Sequence, residues 1–234
     1  MDDSEYAHLL RRTMADLTET ASHPTDIGTT LRGVTAACVE VIPGTDSADI
    51  LVITESERFE SLAPTSKLPA SLDEAQKRFG EGPCITAAVD EPVVQCDDLR
   101  EDLRWPRFAK SAVVAGIHSM LSFQLFTHDD RVAAMNIFGR QPHCFGQEAE
   151  ALGAMFATHA ALALIAHDKQ SQFESALASR DIIGQAKGRI MERFDIDAVR
   201  AFELLRKLSQ ESNTRLTEVA AQVVTRGSDK IVRR

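Results

Sequence analysis

Lys187, set between Ala186 and Gly188 in SALASRDIIGQAKGRIMERF, and Arg206 with Ser209 three residues on in DAVRAFELLRKLSQES, have types and spacing suited to gripping a polyanion. An arginine fork donates in pairs to a phosphate or a base edge, and a serine one turn later adds a hydroxyl. Glycine inside a helix costs about 1 kcal/mol against alanine, so Gly188 implies close approach of another helix or of nucleic acid, within reach of the Lys187 ammonium. Arg180, Arg189, Lys207 and Arg215 add cations to the same stretch, with Glu174 and Glu192 as alternative ion-pair partners for Arg180. Charge agrees with this use. From Glu174 to the end there are 12 Lys and Arg against 9 Asp and Glu, whereas the preceding residues hold 14 against 26. A basic module follows an acidic carrier.

Three amphipathic helices must position these cations. The first carries Leu177, Ile183, Ala186, Ile190 and Phe194 on one face. The second starts at Asp197 as N-cap and repeats Ala201, Leu204, Leu205 and Leu208, which points Arg206 and Lys207 outward. The third, NTRLTEVAAQVV, starts with Asn213 or Thr214 as cap and turns Leu216, Val219, Ala220 and Val223 inward. Together they can shield one another's apolar stripes in a small bundle.

Other reactive residue types are scattered. Cys38, Cys84, Cys96 and Cys144 form no C-x-x-C and have no tight histidine spacing, so no metal site is expected. Cys84 follows Gly82-Pro83 at the start of a predicted helix, where a thiolate is stabilised; it reads either as a redox or ligand-contacting thiol or as a small buried hydrophobe. His118 and His143 could border a pocket, and His159 falls on a long helix, each with a surface or interior alternative. Asp97, Asp98 and Asp102 read as capping or solvated carboxylates, and Asp129-Asp130 as a turn. Neither G-x-x-x-x-G-K-[ST] nor G-x-G-x-x-G occurs, which removes the commonest nucleotide-binding loops.

Before the tail, the pattern is mixed. Ser47–Thr54 reads as a strand with a hairpin partner over Glu57–Ala63, and Ser119–Phe126 with Val132–Phe138 as a second hairpin, Leu121, Phe123 and Leu125 facing one way and Ser122 and Gln124 the other. Helices are predicted at Glu5–Thr20, Asp26–Val41, Leu72–Phe79, Pro106–Ala115 and from Gln147 onward. The expected class is α+β, an antiparallel sheet with its helices gathered to one side.

Two resemblances add to this reading. Arg180, Ile183, Ala186-Lys187-Gly188, Met191, Ala201-Phe202, Leu205-Arg206, Ser209, Leu216, Ala220 and Val223 resemble, in order and spacing, the ANTAR domain, a three-helix RNA-binding module of bacterial transcription antitermination regulators. The resemblance implies recognition of paired RNA hairpins in a nascent transcript. Gly80-Glu81-Gly82-Pro83-Cys84, Asp97-Asp98-Leu99, Asp102, Arg104-Trp105-Pro106, Phe108, Gly116, Ser119 and Met135-Asn136-Ile137-Phe138 are similar to the GAF domain found upstream of ANTAR in actinobacterial regulators. That implies a central antiparallel sheet, flanking helices and a pocket for a small ligand of unknown identity, with Cys84 and His118 as candidate pocket residues. The Asn-Lys-Phe-Asp-Glu signature of cyclic-nucleotide binders and an obvious bilin-attachment cysteine are missing.

The expected organisation is an N-terminal helix over 1–23, a GAF-like sensory domain over 24–166, a connecting helix over 147–180 that overlaps it, and an ANTAR domain over 174–229. Leu152, Met155, Leu162 and Phe173 suggest a partly heptadic dimer seam on the connecting helix, interrupted by His159 and Lys169; a helix that covers its own sheet is the alternative. The acidic start lacks a signal-peptide pattern, and the apolar run Ala160–Ala166 is too short to span a bilayer, so a bacterial cytoplasmic homodimer with no membrane partner is expected. Lys230, Arg233 and Arg234 would add non-specific attraction to RNA. The leading expectation is a non-enzymatic regulator that binds hairpin RNA under GAF control. The alternatives are a small-molecule enzyme of GAF-like fold using Cys84 and a DNA-binding regulator.

Overall fold

The computed structural model describes residues 3–22, 26–54, 58–89, 91–128 and 131–226. The Asp129-Asp130 turn and the cations Lys230, Arg233 and Arg234 lie outside them. The chain divides into two compact units, Met1–Ala166 and His167–Arg234.

The first unit is built on five strands, β1 (Ser47–Thr54), β2 (Phe59–Leu62), β3 (Val93–Cys96), β4 (Ser119–His128) and β5 (Arg131–Gly139), in the order β2-β1-β5-β4-β3. Every pairing is antiparallel. Both predicted hairpins form, and the alternation in β4 holds, with Leu121, Phe123 and Leu125 in one apolar layer.

Helices cover both faces of this sheet, as the GAF resemblance implies, and not one side only, as the order of elements alone suggested. Against one face lie α1 (Asp3–Ser22), α2 (Ile27–Val41) and the first part of α6 (Gln147–Phe194), joined through Leu17, Leu31, Val34, Phe156 and Ala160 to Ile50, Phe123 and Met135. Against the other lie α3 (Lys67–Phe79), α4 (Pro83–Val89) and α5 (Pro106–Val114), where Leu72, Cys84, Trp105 and Phe108 pack with Leu51, Met120 and Phe138. With both faces closed, β1 is buried from Ser47 to Val52, so it reads as a near-continuous apolar run. The short helix α4 begins at Pro83, where the sequence places a helix start, whereas the edge strand β3 was not a separate element in the sequence; α3 starts at Lys67, earlier than the predicted Leu72, with Ser66 Oγ accepting from Leu68 N.

α6 is long and apolar enough to cross a membrane by length and composition, contrary to the expectation drawn from Ala160–Ala166 alone. Leu152, Phe156, Ala157, Ala160 and Leu164 nevertheless pack into the core of the first unit, which accounts for that hydropathy. Leu152, assigned to a dimer seam from the sequence, is buried here. Met155, Leu162 and Phe173 are exposed.

α6 packs tightly on the sheet at Gly153, where an added Cβ would come within 2.4 Å of Phe123 Cζ and 2.5 Å of its Cε2. Phe123 is itself buried, so the ring has little room to yield. Gly153→Ala is expected to destabilise the first unit by about 1–3 kcal/mol through overpacking, measured by denaturant unfolding followed through Trp105 fluorescence.

Candidate nucleic-acid interface

The second unit takes its core from the last part of α6, α7 (Ala198–Ser212) and α8 (Leu216–Arg226). Ala186, Ile190, Ala201, Leu205, Val219 and Ala220 are buried together, with Ile183, Met191, Leu216 and Val223 partly buried around them. Small side chains at Ala186, Ala201 and Ala220 let three short helices approach closely enough to exclude water. Asp197 caps α7 as the sequence predicts, its carboxylate accepting from Val199 N at 3.0 Å and Arg200 N at 2.9 Å.

Two local readings change. Asn213 does not cap α8; it ends α7 in the left-handed conformation, φ 48°, where asparagine is tolerated. The carbonyl of Arg215 instead accepts from Glu218 N and Val219 N at the start of α8. Leu177, Phe194, Leu204 and Leu208, predicted to face inward, are exposed, because the interface between short helices closes on a stripe only about two side chains wide at each turn.

The cations divide into two kinds. Arg189 donates to the carbonyl of Val224 in the last turn of α8, a structural tie that also favours that helix terminus. Ser209 Oγ donates to Thr214 O at 2.6 Å and closes the turn between α7 and α8, while Lys207 pairs with Glu211 at 3.7 Å along its own helix. Lys187, Arg206, Arg180 and Arg215, by contrast, have no ion pair or side-chain hydrogen bond among the described residues; Arg180 takes up neither Glu174 nor Glu192. Lys187 is half-buried along its stem, and the other three are exposed.

Beside Lys187, an added Cβ at Gly184 or Gly188 would meet nothing within 4 Å. Among the described residues no neighbour fills the space that the glycines leave. Phe202, one turn before Arg206, is also 41% exposed, an aromatic face beside a cation on α7. Phe202 stood in the sequence motif, but only its exposure makes it available for contact.

In the first unit, Cys84 and His118 are placed apart in role. Cys84 is fully buried on α4, receives Asn136 Nδ2 at 3.2 Å, and has its thiol pushed well up by burial and by Asp73 and Asp49. A short helix start does not offset two buried acids, so the small buried group is the reading its surroundings match. His118 is half-buried; its main chain bonds Gly139 O at 2.9 Å and Leu99 N at 2.8 Å, and its Nδ1 is buried without a partner. Neither residue lines the shallow surface depression formed by Phe59, Glu74, Lys77 and Arg78.

In the acidic loop, Asp98 and Asp102 neither cap a helix nor stay solvated; they pair instead with arginines two residues on. Asp98 accepts from Arg100 N and its guanidinium, which holds the carboxyl down at about 2, and Asp102 does the same for Arg104, whose guanidinium lies 4.1 Å over the Trp105 ring. Among the described residues no group of three or more His, Cys, Asp or Glu could hold a metal ion. The sequence reading passed over Asp49 and Asp73, both buried on the α3 side of the sheet. An acid flanked by Ala48 and Ile50 in an apolar strand was the available signal for the first.

Residues 24–165 match the GAF domain family and residues 171–224 the ANTAR domain family. No curated protein matches. Among solved structures, the chain is similar to the GAF domain of a phosphoenolpyruvate-protein phosphotransferase from Coxiella burnetii, at 17% identity, 71% of this chain, 98% of that one and TM-score 0.53. The GAF domain of an Acinetobacter phosphoenolpyruvate-protein phosphotransferase gives 15%, 73%, 97% and 0.54. A free methionine-R-sulfoxide reductase from Neisseria meningitidis gives 14%, 73%, 96% and 0.51. At these identities the likeness is one of fold.

In the native chain a thiol reagent is expected to modify half-buried Cys144 first and Cys84 only at the rate of unfolding, read by mass spectrometry of labelled peptides. Equal rates at the two sites would restore a reactive Cys84. By the extent of the first match, the chain belongs to the GAF domain family, with an ANTAR domain match following the GAF domain.

Proposed function

We propose that the bundle of α6, α7 and α8 binds hairpin RNA in nascent transcripts and promotes antitermination, under control of the GAF unit, in a bacterial cytoplasm and without catalysing a reaction. The observation that carries this reading is the pair Lys187 and Arg206, two cations without ion pairs or side-chain hydrogen bonds among the described residues of an ANTAR bundle. Open space at Gly184 and Gly188 supports close approach of a backbone, and Phe202 offers a face for an unstacked loop base. Arg180 and Arg215 extend the positive surface, whereas Arg189, Lys207 and Ser209 have structural uses that would have to be shared with RNA. Exposed Met155, Leu162 and Ile165 on α6 support a homodimer, in which two bundles would engage paired hairpins with the advantage of linked sites.

Lys187→Ala is expected to lower the slope of log affinity against log salt by about 0.7–0.9, and Arg206→Ala to cost about 1–3 kcal/mol in affinity for a tandem-hairpin RNA, with both variants folded. Fluorescence anisotropy across a salt series, with duplex DNA at matched salt as comparison, measures both. Unchanged slopes and affinities, or preference for the duplex, count against the reading. Gly188→Ala should leave the bundle as stable or up to about 1 kcal/mol more stable, yet weaken RNA binding, which separates close approach from folding.

A further inference from the structure

Beneath α3 and α4 the sheet carries a polar row. Register sets Asp49 of β1 opposite Asn136 of β5, and Asn136 opposite Ser122 of β4. Asn136 Nδ2 donates to Asp49 Oδ1 at 2.9 Å, Ser122 Oγ donates to Asn136 Oδ1 at 2.9 Å, and Ser61 Oγ from β2 donates to Asp49 Oδ2 at 3.0 Å. From α3, Asp73 reaches a hydrogen bond with Asp49, and Gln76 donates to Asp73 Oδ1 at 3.5 Å while accepting from Cys84 N at 3.0 Å. Gln76 fits only because residue 82 is glycine, since an added Cβ there would stand 2.1 Å from Gln76 Oε1.

Asp49 is fully buried and Asp73 is 3% exposed. The groups facing them are neutral or acidic: Ser61, Asn136, Gln76 and the Cys84 thiol, with Glu74 the nearest further charge. Among the described residues no lysine, arginine or histidine acts on either carboxyl. Two buried carboxylates in contact without a cation cannot both be ionised. Asp73 Oδ2, moreover, is buried with no hydrogen-bond partner among the described residues, and two carboxyls hydrogen-bond only when one carries the hydrogen.

We infer that the Asp49–Asp73 pair is a proton-binding site that locks α3 onto the sheet: the GAF unit closes this face with one solvent proton held between the two carboxyls and loosens it when that proton returns to solvent. Asp73 is the better-placed carrier. Burial, and then the neighbouring Asp49, push its carboxyl up to about 10, and burial raises Asp49 as well. The unfolded chain gives up the proton near the ordinary value of 3.8, so between that value and about 10 the folded unit holds one proton more. Stability from the pair is therefore full at low pH and is lost as pH rises through this window. The carboxyl of Asp98 has the opposite sense but acts near pH 2, below the window. The inference is independent of RNA binding and gives the GAF unit an input of its own.

The test follows from Trp105, the single tryptophan, which is buried in the same layer and donates from Nε1 to Thr86 Oγ1 of α4 at 3.1 Å. Urea unfolding of the full chain, read by Trp105 fluorescence from about pH 6 to about pH 9, is expected to show the unfolding constant rising by up to about tenfold per pH unit beyond that of Asp73→Asn. In that variant an amide donates where the proton stood and only Asp49 can titrate, so the pH dependence weakens. Parallel pH dependences in the two proteins would overturn the inference. The infrared spectrum of the wild-type chain near pH 8 needs no variant: a protonated-carboxyl band supports the lock, and its absence overturns it.

Discussion

A five-stranded antiparallel sheet buried on both faces is the constraint from which the rest of the first unit follows. Strands in that position must be apolar on both sides, so β1 and β5 lose the alternation that marks a half-solvated strand, and two layers of helices are needed to exclude water. α1, α2 and α6 supply one layer; α3, α4 and α5 supply the other. Any polar side chain pointing from a central strand is then committed to protein partners. That is why Asp49, Asn136 and Ser122 form one hydrogen-bonded row and why α3 must answer it with Asp73 and Gln76.

α6 serves two chemistries along its length. Near its start Leu152, Phe156 and Leu164 seal the sheet, and near its end Ala186 and Ile190 enter the bundle core. The bundle is small enough that its core is a handful of residues, so most of each helix faces outward. A scaffold of this kind has much surface for recognition per buried residue, and its polar groups sort themselves by whether the fold already uses them. Arg189 and Ser209 close the bundle; Lys187 and Arg206 do not.

The elements legible in the sequence were those with their own periodicity or cap: the β4–β5 hairpin, the bundle helices and the Asp197 cap. β3 was missed because four residues are too short to establish a period, and α4, at seven residues, was legible only by its start at Gly82-Pro83-Cys84. The flanking helix cover came from the GAF resemblance and not from spacing, which says where a helix is and not which face of the sheet it meets. Leu152 looked like a seam residue and is core, while Leu204 and Leu208 looked like core and are exposed, since a stripe of apolar residues is wider than the contact it makes. Motif spacing identified the cations; only packing could divide those with structural partners from those without. The acid pair joins residues 49 and 73, and no local pattern marks a contact between strand and helix at that separation.

Photo-crosslinking of a tandem-hairpin RNA to the full chain, with crosslinked peptides mapped by mass spectrometry, tests the central claim most directly. The account predicts crosslinks concentrated on Gly184–Met191 of α6 and Phe202–Ser209 of α7. Crosslinks confined to the sheet unit, or none above those given by an unstructured RNA, would contradict it.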